Sequence, residues 1–139
     1  MTKTQKYREQ HLELVALVGQ LKPLLNPADL AKDGGAARSL LSAFAGKLNV
    51  HLAMEDKALY PQLLNHKDPA VGTKAKAFMD EMGGIKEAFT AYMGKYPSAT
   101  AIQAAPTAFI ADTEGLVKVL AKRIQAEDSD LYAMVDRLD

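Results

Sequence analysis

The residues of this chain that are best suited to chemistry are two histidines and three carboxylates, all in segments of helical periodicity. His51 and Glu55 are four residues apart, so on a helix their side chains project from one face about one turn apart. His11 lies on an earlier segment, and Glu127 and Asp128 lie on a later one. Imidazole nitrogens with carboxylate oxygens suit iron, manganese or zinc, and helix bundles commonly hold such sites in their cores. The five residues together therefore predict a metal site, although an HxxxE spacing alone is common by chance.

Four amphipathic segments must bring these residues together. Apolar residues recur at three- and four-residue steps, which predicts helices over residues 3–25, 36–64, 73–95 and 100–137, the last with a break at Pro106. No segment keeps the period of two that is typical of strands. Four helices with short connections favour an all-α fold, an up-down-up-down antiparallel four-helix bundle that forms a single domain over residues 1–139.

Particular residues predict irregularities within these helices. Pro61 is expected to kink or end the last turn of the second helix. Gly83 and Gly84 weaken the middle of the third helix by about 1 kcal/mol each, which predicts a tight contact or a local distortion there. Tyr60 and Tyr132 are expected to pack at the end of the bundle, with their hydroxyls reaching solvent or a carboxylate.

An internal repeat relates the second and fourth helices. The segment HLAMEDKALYPQL aligns without gaps on RIQAEDSDLYAMV at a constant offset of 72 residues, and the first and third helices align more weakly at an offset of 71. In this alignment Arg123 corresponds to His51, and Met82 corresponds to His11. Polar side chains that face a bundle axis must satisfy one another or bind something, so these four positions mark the centre of the predicted site.

The composition excludes several classes of function. The chain has no cysteine, which excludes disulfides, thiolate metal sites and cysteine nucleophiles. The 17 basic and 17 acidic residues balance, and with no basic tract we expect neither nucleic acid nor a membrane surface as a partner. The polar N-terminal sequence lacks the apolar core of a signal peptide, and no apolar run approaches the ~20 residues of a membrane span. A cytoplasmic location is therefore expected.

Over nearly its whole length the sequence resembles hemerythrin-like HHE domains, through QHLELVALVGQL, HLAMEDKALYPQL, DEMGGIKEAF and RIQAEDSDLY. The resemblance implies an up-down-up-down bundle that holds two irons. Carried over residue by residue, it implies that His11, His51 and Glu55 are metal ligands. It also implies that Asp128 is the carboxylate ligand of the fourth helix, with Glu127 as a neighbouring candidate.

Three ligand positions that the resemblance implies carry unsuitable residues, namely Met82, Lys86 and Arg123. Lysine and arginine are cations that only donate hydrogen bonds, and methionine is a soft ligand poorly matched to iron–oxygen chemistry. We therefore expect one iron ion or none, and not an intact two-iron site. One hypothesis is a single residual metal ion held by the histidines and carboxylates. The other is a metal-free core in which Arg123 and Lys86 pair with those carboxylates and replace the metal charge.

The leading interpretation of function is a non-enzymatic binding or sensing module whose partner is a metal ion or a small diatomic ligand. The alternative is a metal-free structural or protein-interaction bundle, and a homodimer is compatible with either. No nucleophile elbow, phosphate-binding glycine loop or dinucleotide fingerprint is present in the sequence. An oxidase of ferritin-like character usually needs ExxH motifs on two helices, and the sequence has none in that form.

Overall fold

The computed structural model describes residues 2–138, and these residues form eight α-helices. The helices are α1 (Gln5–Leu21), α2 (Pro27–Lys32), α3 (Gly35–Met54), α4 (Tyr60–Leu64), α5 (Pro69–Lys95), α6 (Ala99–Ala104), α7 (Pro106–Ala126) and α8 (Tyr132–Arg137). Two π-helical segments, Glu55–Leu59 and Glu127–Leu131, join α3 to α4 and α7 to α8. No strand occurs among residues 2–138, so the prediction of an all-α fold is confirmed.

The long helices pack as a bundle. α1 contacts α3, α4 contacts α5, and α7 contacts both α5 and α1. These contacts fit the predicted up-down-up-down bundle. The predicted break at Pro106 is also present, since α6 ends at Ala104 and α7 begins at the proline. Among residues 2–138, no helix is both long and apolar enough to cross a membrane.

Local sequence signals fix where the shorter connections end. The side chain of Asn26 accepts a hydrogen bond from the backbone of Asp29, and that of Asp68 accepts one from Ala70. A proline follows each of these capping residues, where its missing N–H costs nothing. For this reason α5 begins at Pro69, four residues before the predicted start at residue 73.

The buried apolar residues form three clusters along the bundle. One cluster, around Leu131 and Tyr132, lies at the end formed by α4 and α8. A second, around Phe44 and Met82, fills the middle, and a third lies toward α2 and α6. The ionisable residues of the predicted site lie between the first two clusters, since His11 falls between residues of both on α1.

The two π segments occupy equivalent places in the internal repeat. Glu55 and Glu127 each begin a segment, and the backbone N–H of the residue five positions on, Tyr60 or Tyr132, donates to the carbonyl of that glutamate. Five residues span about 500° in an α-helix, which would turn the tyrosine away from the glutamate; the wider π turn brings both to one face. Pro61 does not end its helix, and the second segment contains no proline, so proline cannot be the common cause of the two π turns.

The prediction of a tight contact or distortion at Gly83 and Gly84 is wrong. Helix α5 passes through both residues without a break. A Cβ atom added at either glycine would meet no described heavy atom within 4 Å beyond its own helix. The two glycines therefore lower the stability of an exposed, regular part of α5, and no neighbouring element packs closely against them.

Replacing Gly84 with alanine is expected to raise the free energy of unfolding by roughly 0.5–1 kcal/mol, because alanine restricts the unfolded chain and favours the helix. Gly34→Ala is the matched control with the opposite sign. A Cβ at Gly34 would lie 2.8 Å from the carbonyl oxygen of Ala99 and 3.1 Å from Cβ of Ile102. Urea denaturation of both variants tests this pair, and a destabilised Gly84→Ala variant would contradict it.

Candidate metal centre

Four buried ionisable side chains meet where α1 and α3 pack against the π segments. His11 comes from α1 and His51 from the last turn of α3, and each is 2% exposed. Glu55 and Glu127 are the first residues of the two π segments and are 1% and 2% exposed. Burial of so many ionisable groups is costly unless they are paired or bind a cation, so their contacts decide what the cluster can do.

His51 is held in one tautomer. Its Nδ1 lies 2.7 Å from Oε1 of Gln10, and because an amide oxygen only accepts, Nδ1 carries the proton and donates it. The amide nitrogen of Gln10 in turn donates to Sδ of Met54 at 3.0 Å, which fixes the amide orientation. Nε2 of His51 is therefore left with a free lone pair that faces the cluster, as in histidines that bind metals.

Gln10 belongs to the site although it is not among the residues predicted from the sequence. A signal was present, because Gln10 lies three residues after Tyr7 and four before Leu14, on the face that both of these buried residues share. The same periodicity that selected its neighbours could therefore have selected Gln10.

His11 lies between two carboxylates. Its Nδ1 is 2.8 Å from Oδ1 of Asp128, and its Nε2 is 2.8 Å from Oε1 of Glu127. Burial by itself would lower the pKa of His11, but hydrogen bonds to Glu127 and Asp128 and the charges of both outweigh it and raise the pKa. The structure thus places Glu127 on the inner nitrogen of His11 and Asp128 on the outer one, where the Asp128 side chain is partly exposed.

Glu127 joins the two histidines to Arg123. Its Oε1 lies 2.8 Å from Nε2 of His11 and 3.8 Å from Nε2 of His51. Its Oε2 accepts from Nε of Arg123 at 3.3 Å and lies 3.2 Å from a terminal guanidinium nitrogen. Burial would raise the pKa of Glu127, but the hydrogen bond and charge of His11 and the charge of the Arg123 guanidinium outweigh it and lower the pKa. Glu127 is therefore the ionised carboxylate of the cluster.

The pKa of Glu55 is raised, in contrast to that of Glu127. Burial and the charge of Glu127 raise its pKa, against the hydrogen bond from Tyr132 and the charge of Arg123, which lower it. The Tyr132 hydroxyl donates to Oε2 of Glu55 at 2.5 Å. Oε1 of Glu55 has no hydrogen-bond partner among residues 2–138, although it lies 3.5 Å from Nε2 of His51. A buried, unpartnered oxygen beside a histidine nitrogen can bind a cation, and the cation would then take the place of the proton that the raised pKa favours.

Tyr60 and Tyr132 belong to the apolar cluster at the α4–α8 end, as predicted, and their hydroxyls reach the ionisable residues. Tyr132 is fully buried, and its hydroxyl is 3.5 Å from Nε2 of His11 and 3.4 Å from Nε2 of His51. The Tyr60 hydroxyl accepts from Arg123 at 3.2 Å. The expectation that a tyrosine hydroxyl reaches a carboxylate is confirmed for Tyr132, and the π turns explain its inward direction.

Arg123 is buried and Lys86 is not. Arg123 is 3% exposed, and its guanidinium lies 4.8 Å from the centre of the Phe78 ring. Lys86 is half-exposed, with Nζ 3.9 Å from Oδ2 of Asp56, so the prediction that Lys86 pairs with the core carboxylates is wrong. Lys86 lies at the edge of the buried face of α5, where its strongly hydrated ammonium reaches water. Met82 is buried in the middle apolar cluster and serves as packing.

The donor atoms fit a single metal ion. One ligand atom from each of His11, His51 and Glu127 lies within 4.8 Å of the other two. Bonds of about 2.0–2.2 Å from nitrogen or oxygen to a transition metal place ligands about 4 Å apart across one ion, so only small movements are required. Two imidazole nitrogens with a carboxylate suit iron, manganese or zinc, and Glu55 adds a further oxygen.

A helix bundle that brings histidines and carboxylates together in its core defines a cation-binding helical domain. The family model described as the hemerythrin HHE cation binding domain matches residues 2–135, and the chain belongs to this family. Comparisons with curated proteins and with solved structures found no match. The predicted family is thus confirmed over nearly the whole chain.

Raising the pH is expected to destabilise the metal-free protein. The pKa of His11 is higher in the folded protein than its ordinary 6.5, so stability from this group is complete below the unfolded pKa and is lost as the pH rises through the folded pKa. Glu55, whose pKa is raised from 4.5, acts in the same direction. Each unit of pKa difference corresponds to about 1.4 kcal/mol.

Urea denaturation with a chelator, from about pH 6 to about pH 9, measures this loss. Glu127 does not interfere, since its lowered pKa makes its contribution disappear only as the pH falls below its ordinary range. His11→Gln should remove the part of the dependence that comes from His11 and leave the part that comes from Glu55. Stability that rises over the same window would contradict the expectation.

Proposed function

We propose that the protein is a non-enzymatic binding or sensing module of the HHE family that holds one metal ion, with iron as the first candidate. The observation that supports one ion is that only one of the two carboxylate oxygens of Glu127 is available to a metal. Its Oε1 faces the Nε2 atoms of both histidines, whereas its Oε2 is bound by the guanidinium of Arg123.

In this proposal the chain's residues have separate roles. His11 and His51 bind the ion through Nε2 and Glu127 binds it through Oε1, with Oε1 of Glu55 as a further oxygen within reach. The outer nitrogens are held by Asp128 and Gln10, at 2.8 Å and 2.7 Å respectively. Such outer hydrogen bonds fix ring orientation and increase ligand basicity. Bound there, iron would supply a redox-active centre that a small diatomic molecule can reach.

A second ion is disfavoured by charge. The Arg123 guanidinium is fixed by Glu127 and by the Tyr60 hydroxyl, so its positive charge lies where a second cation would need the same carboxylate. Guanidinium does not give up its proton in proteins and cannot act as a ligand. Met82 and Lys86 supply no replacement, because the first is packed in the apolar core and the second points to solvent.

The size of the space beside the ligands supports binding of a small molecule and not catalysis on an organic substrate. A cavity of about 20 Å³ is lined by the two histidines, Glu127, Arg123 and neighbouring apolar side chains. That volume is enough for one water-sized molecule, which needs about 10–15 Å³, whereas substrate pockets usually span about 300–1,000 Å³.

Anaerobic loading with ferrous iron, removal of excess metal and elemental analysis test the proposal. We expect one iron per chain, and two irons or none would overturn it. His51→Ala should abolish loading. His66→Ala is the matched control, because His66 lies in the connection before α5 and its Nδ1 accepts from the backbone of Asp68. Manganese and zinc tested in the same way would establish metal preference.

A second candidate function is a metal-free structural bundle, and the charge balance of the cluster favours it. His11 lies between two carboxylates, Glu127 is paired with Arg123, and Glu55 accepts from Tyr132. A ligand that binds only the folded state must raise its stability. Thermal denaturation that ignores added iron, manganese and zinc would therefore support this candidate over the first.

A further inference from the structure

An apolar cavity of about 20 Å³ lies between α1, α3, α5 and α7, separate from the space beside the ligands. Most of its wall is aliphatic or aromatic. Two polar side chains on it, Tyr92 and Thr113, share a hydrogen bond of 2.6 Å between their hydroxyls. Because these hydroxyls satisfy each other, the wall gives water little to bind, and cavities of this kind stay dry and accept apolar guests.

This cavity, hereafter the storage cavity, meets the space beside the metal ligands. Phe44 and Leu120 line both. They are 8% and 6% exposed, and both belong to the middle apolar cluster. The two spaces are therefore separated by the thickness of apolar side chains that can change rotamer without breaking a polar contact.

A third space adjoins both and lies at the surface, since its lining residues Val15, Lys22 and Ala121 are exposed. It has a volume of about 130 Å³ and lies between α1 and α7. It shares Val18 and Val117 with the storage cavity, and it shares Leu14 and Ile124 with the space beside the ligands; Phe44 and Leu120 line all three. Among residues 2–138, the one charged side chain that lines this opening is Lys22 at its rim.

We propose that the opening between α1 and α7 admits small uncharged diatomic molecules and that the storage cavity holds them beside Phe44 and Leu120. The claim that they then pass to a metal ion rests on the proposed function; entry into the storage cavity does not. An anion would lose its hydration on a wall of Leu, Val, Ile and Phe side chains without gaining a hydrogen bond, which is strongly unfavourable. The small volume excludes larger apolar molecules, so size and polarity together select the class of ligand.

Dioxygen itself is the probe in the first test, on the metal-free protein, because it is paramagnetic and speeds the relaxation of nearby methyl protons in NMR. We expect the buried Leu120 methyls to relax faster under dioxygen, by a factor comparable to the exposed Val119 methyls. Leu131, which is 0% exposed and packs in the cluster at the α4–α8 end, should change little. If Leu120 behaves like Leu131, dioxygen does not enter and the proposal is wrong.

Val117→Phe fills the opening and should reduce the dioxygen effect at Leu120 severalfold. In the ferrous-loaded protein it should also slow nitric oxide association by on the order of tenfold with the iron content unchanged. Val119→Phe is the control, since Val119 lines a groove on the other side of α7 and should change neither result.

Val18→Phe, on the opposite wall, serves the same purpose if the first variant does not fold. If dioxygen still speeds relaxation at Leu120 to the same extent in a folded Val117→Phe or Val18→Phe variant, dioxygen does not enter between α1 and α7 and the proposal is wrong. A chain that binds no iron would instead overturn the proposed function, and the dioxygen result would still decide the passage.

Discussion

Replacing Arg123 with alanine is expected to lower the free energy of unfolding of the metal-free protein by roughly 3–5 kcal/mol, the usual cost of stranding one partner of a buried ion pair. Arg123 is 3% exposed and donates to Glu127 and to the Tyr60 hydroxyl. Without it Glu127 keeps only histidine partners, and Tyr60 loses a donor. The chain has no tryptophan, so urea denaturation followed by circular dichroism is the suitable measurement.

Lys122→Ala is the control for this prediction, because it removes a neighbouring cation that is exposed on the same helix. It should change stability little. Added ferrous iron should restore part of the stability lost in Arg123→Ala, since a bound ion supplies positive charge to the same carboxylate. A loss of less than about 1 kcal/mol, typical of an exposed ion pair, would show that the guanidinium does not stabilise the core.

The long helices could be predicted because their buried residues repeat with helical periodicity, and the break at Pro106 because proline cannot continue a helix. The π segments could not. Nothing in EDKAL or EDSDL signals an extra residue in the turn, and Pro61 near the first has no equivalent near the second. The repeat did contain a hint, since Glu55 and Glu127 match at the offset that relates the two π segments.

The sequence does not predict which way a side chain points when it lies at the edge of a buried helix face. Arg123 and Lys86 are both cations beside buried residues, and periodicity ranks neither as the inward one. The outcome follows from their chemistry. A guanidinium is weakly hydrated and can present two nitrogens to one carboxylate oxygen, as Arg123 does to Glu127, whereas an ammonium on a flexible stem is better solvated outside.

Glu127 and Asp128 could not be ranked from the sequence either, because adjacent residues on a helix point about 100° apart and each is a carboxylate. The structure places one on each nitrogen of His11. Both residues are needed, because Glu127 contacts Nε2 of His11 inside the site and Asp128 fixes the orientation of the ring through Nδ1. Gln10 likewise accepts a hydrogen bond from Nδ1 of His51, but through an uncharged amide oxygen.

Replacing Gln10 with leucine is therefore expected to weaken metal binding by about 10–100-fold, the usual effect of removing the outer partner of a ligating histidine, with one ion still bound at saturation. Leucine cannot accept the proton of Nδ1, so the tautomer with a free Nε2 is no longer selected. Competition of the protein with a ferrous chelator measures the change. Gln20→Leu, the same substitution at an exposed position of α1, should leave the affinity as it is, and Gln10→Glu should keep it by accepting the same proton. Equal affinity in Gln10→Leu and the native protein would mean that His51 does not bind the ion through Nε2.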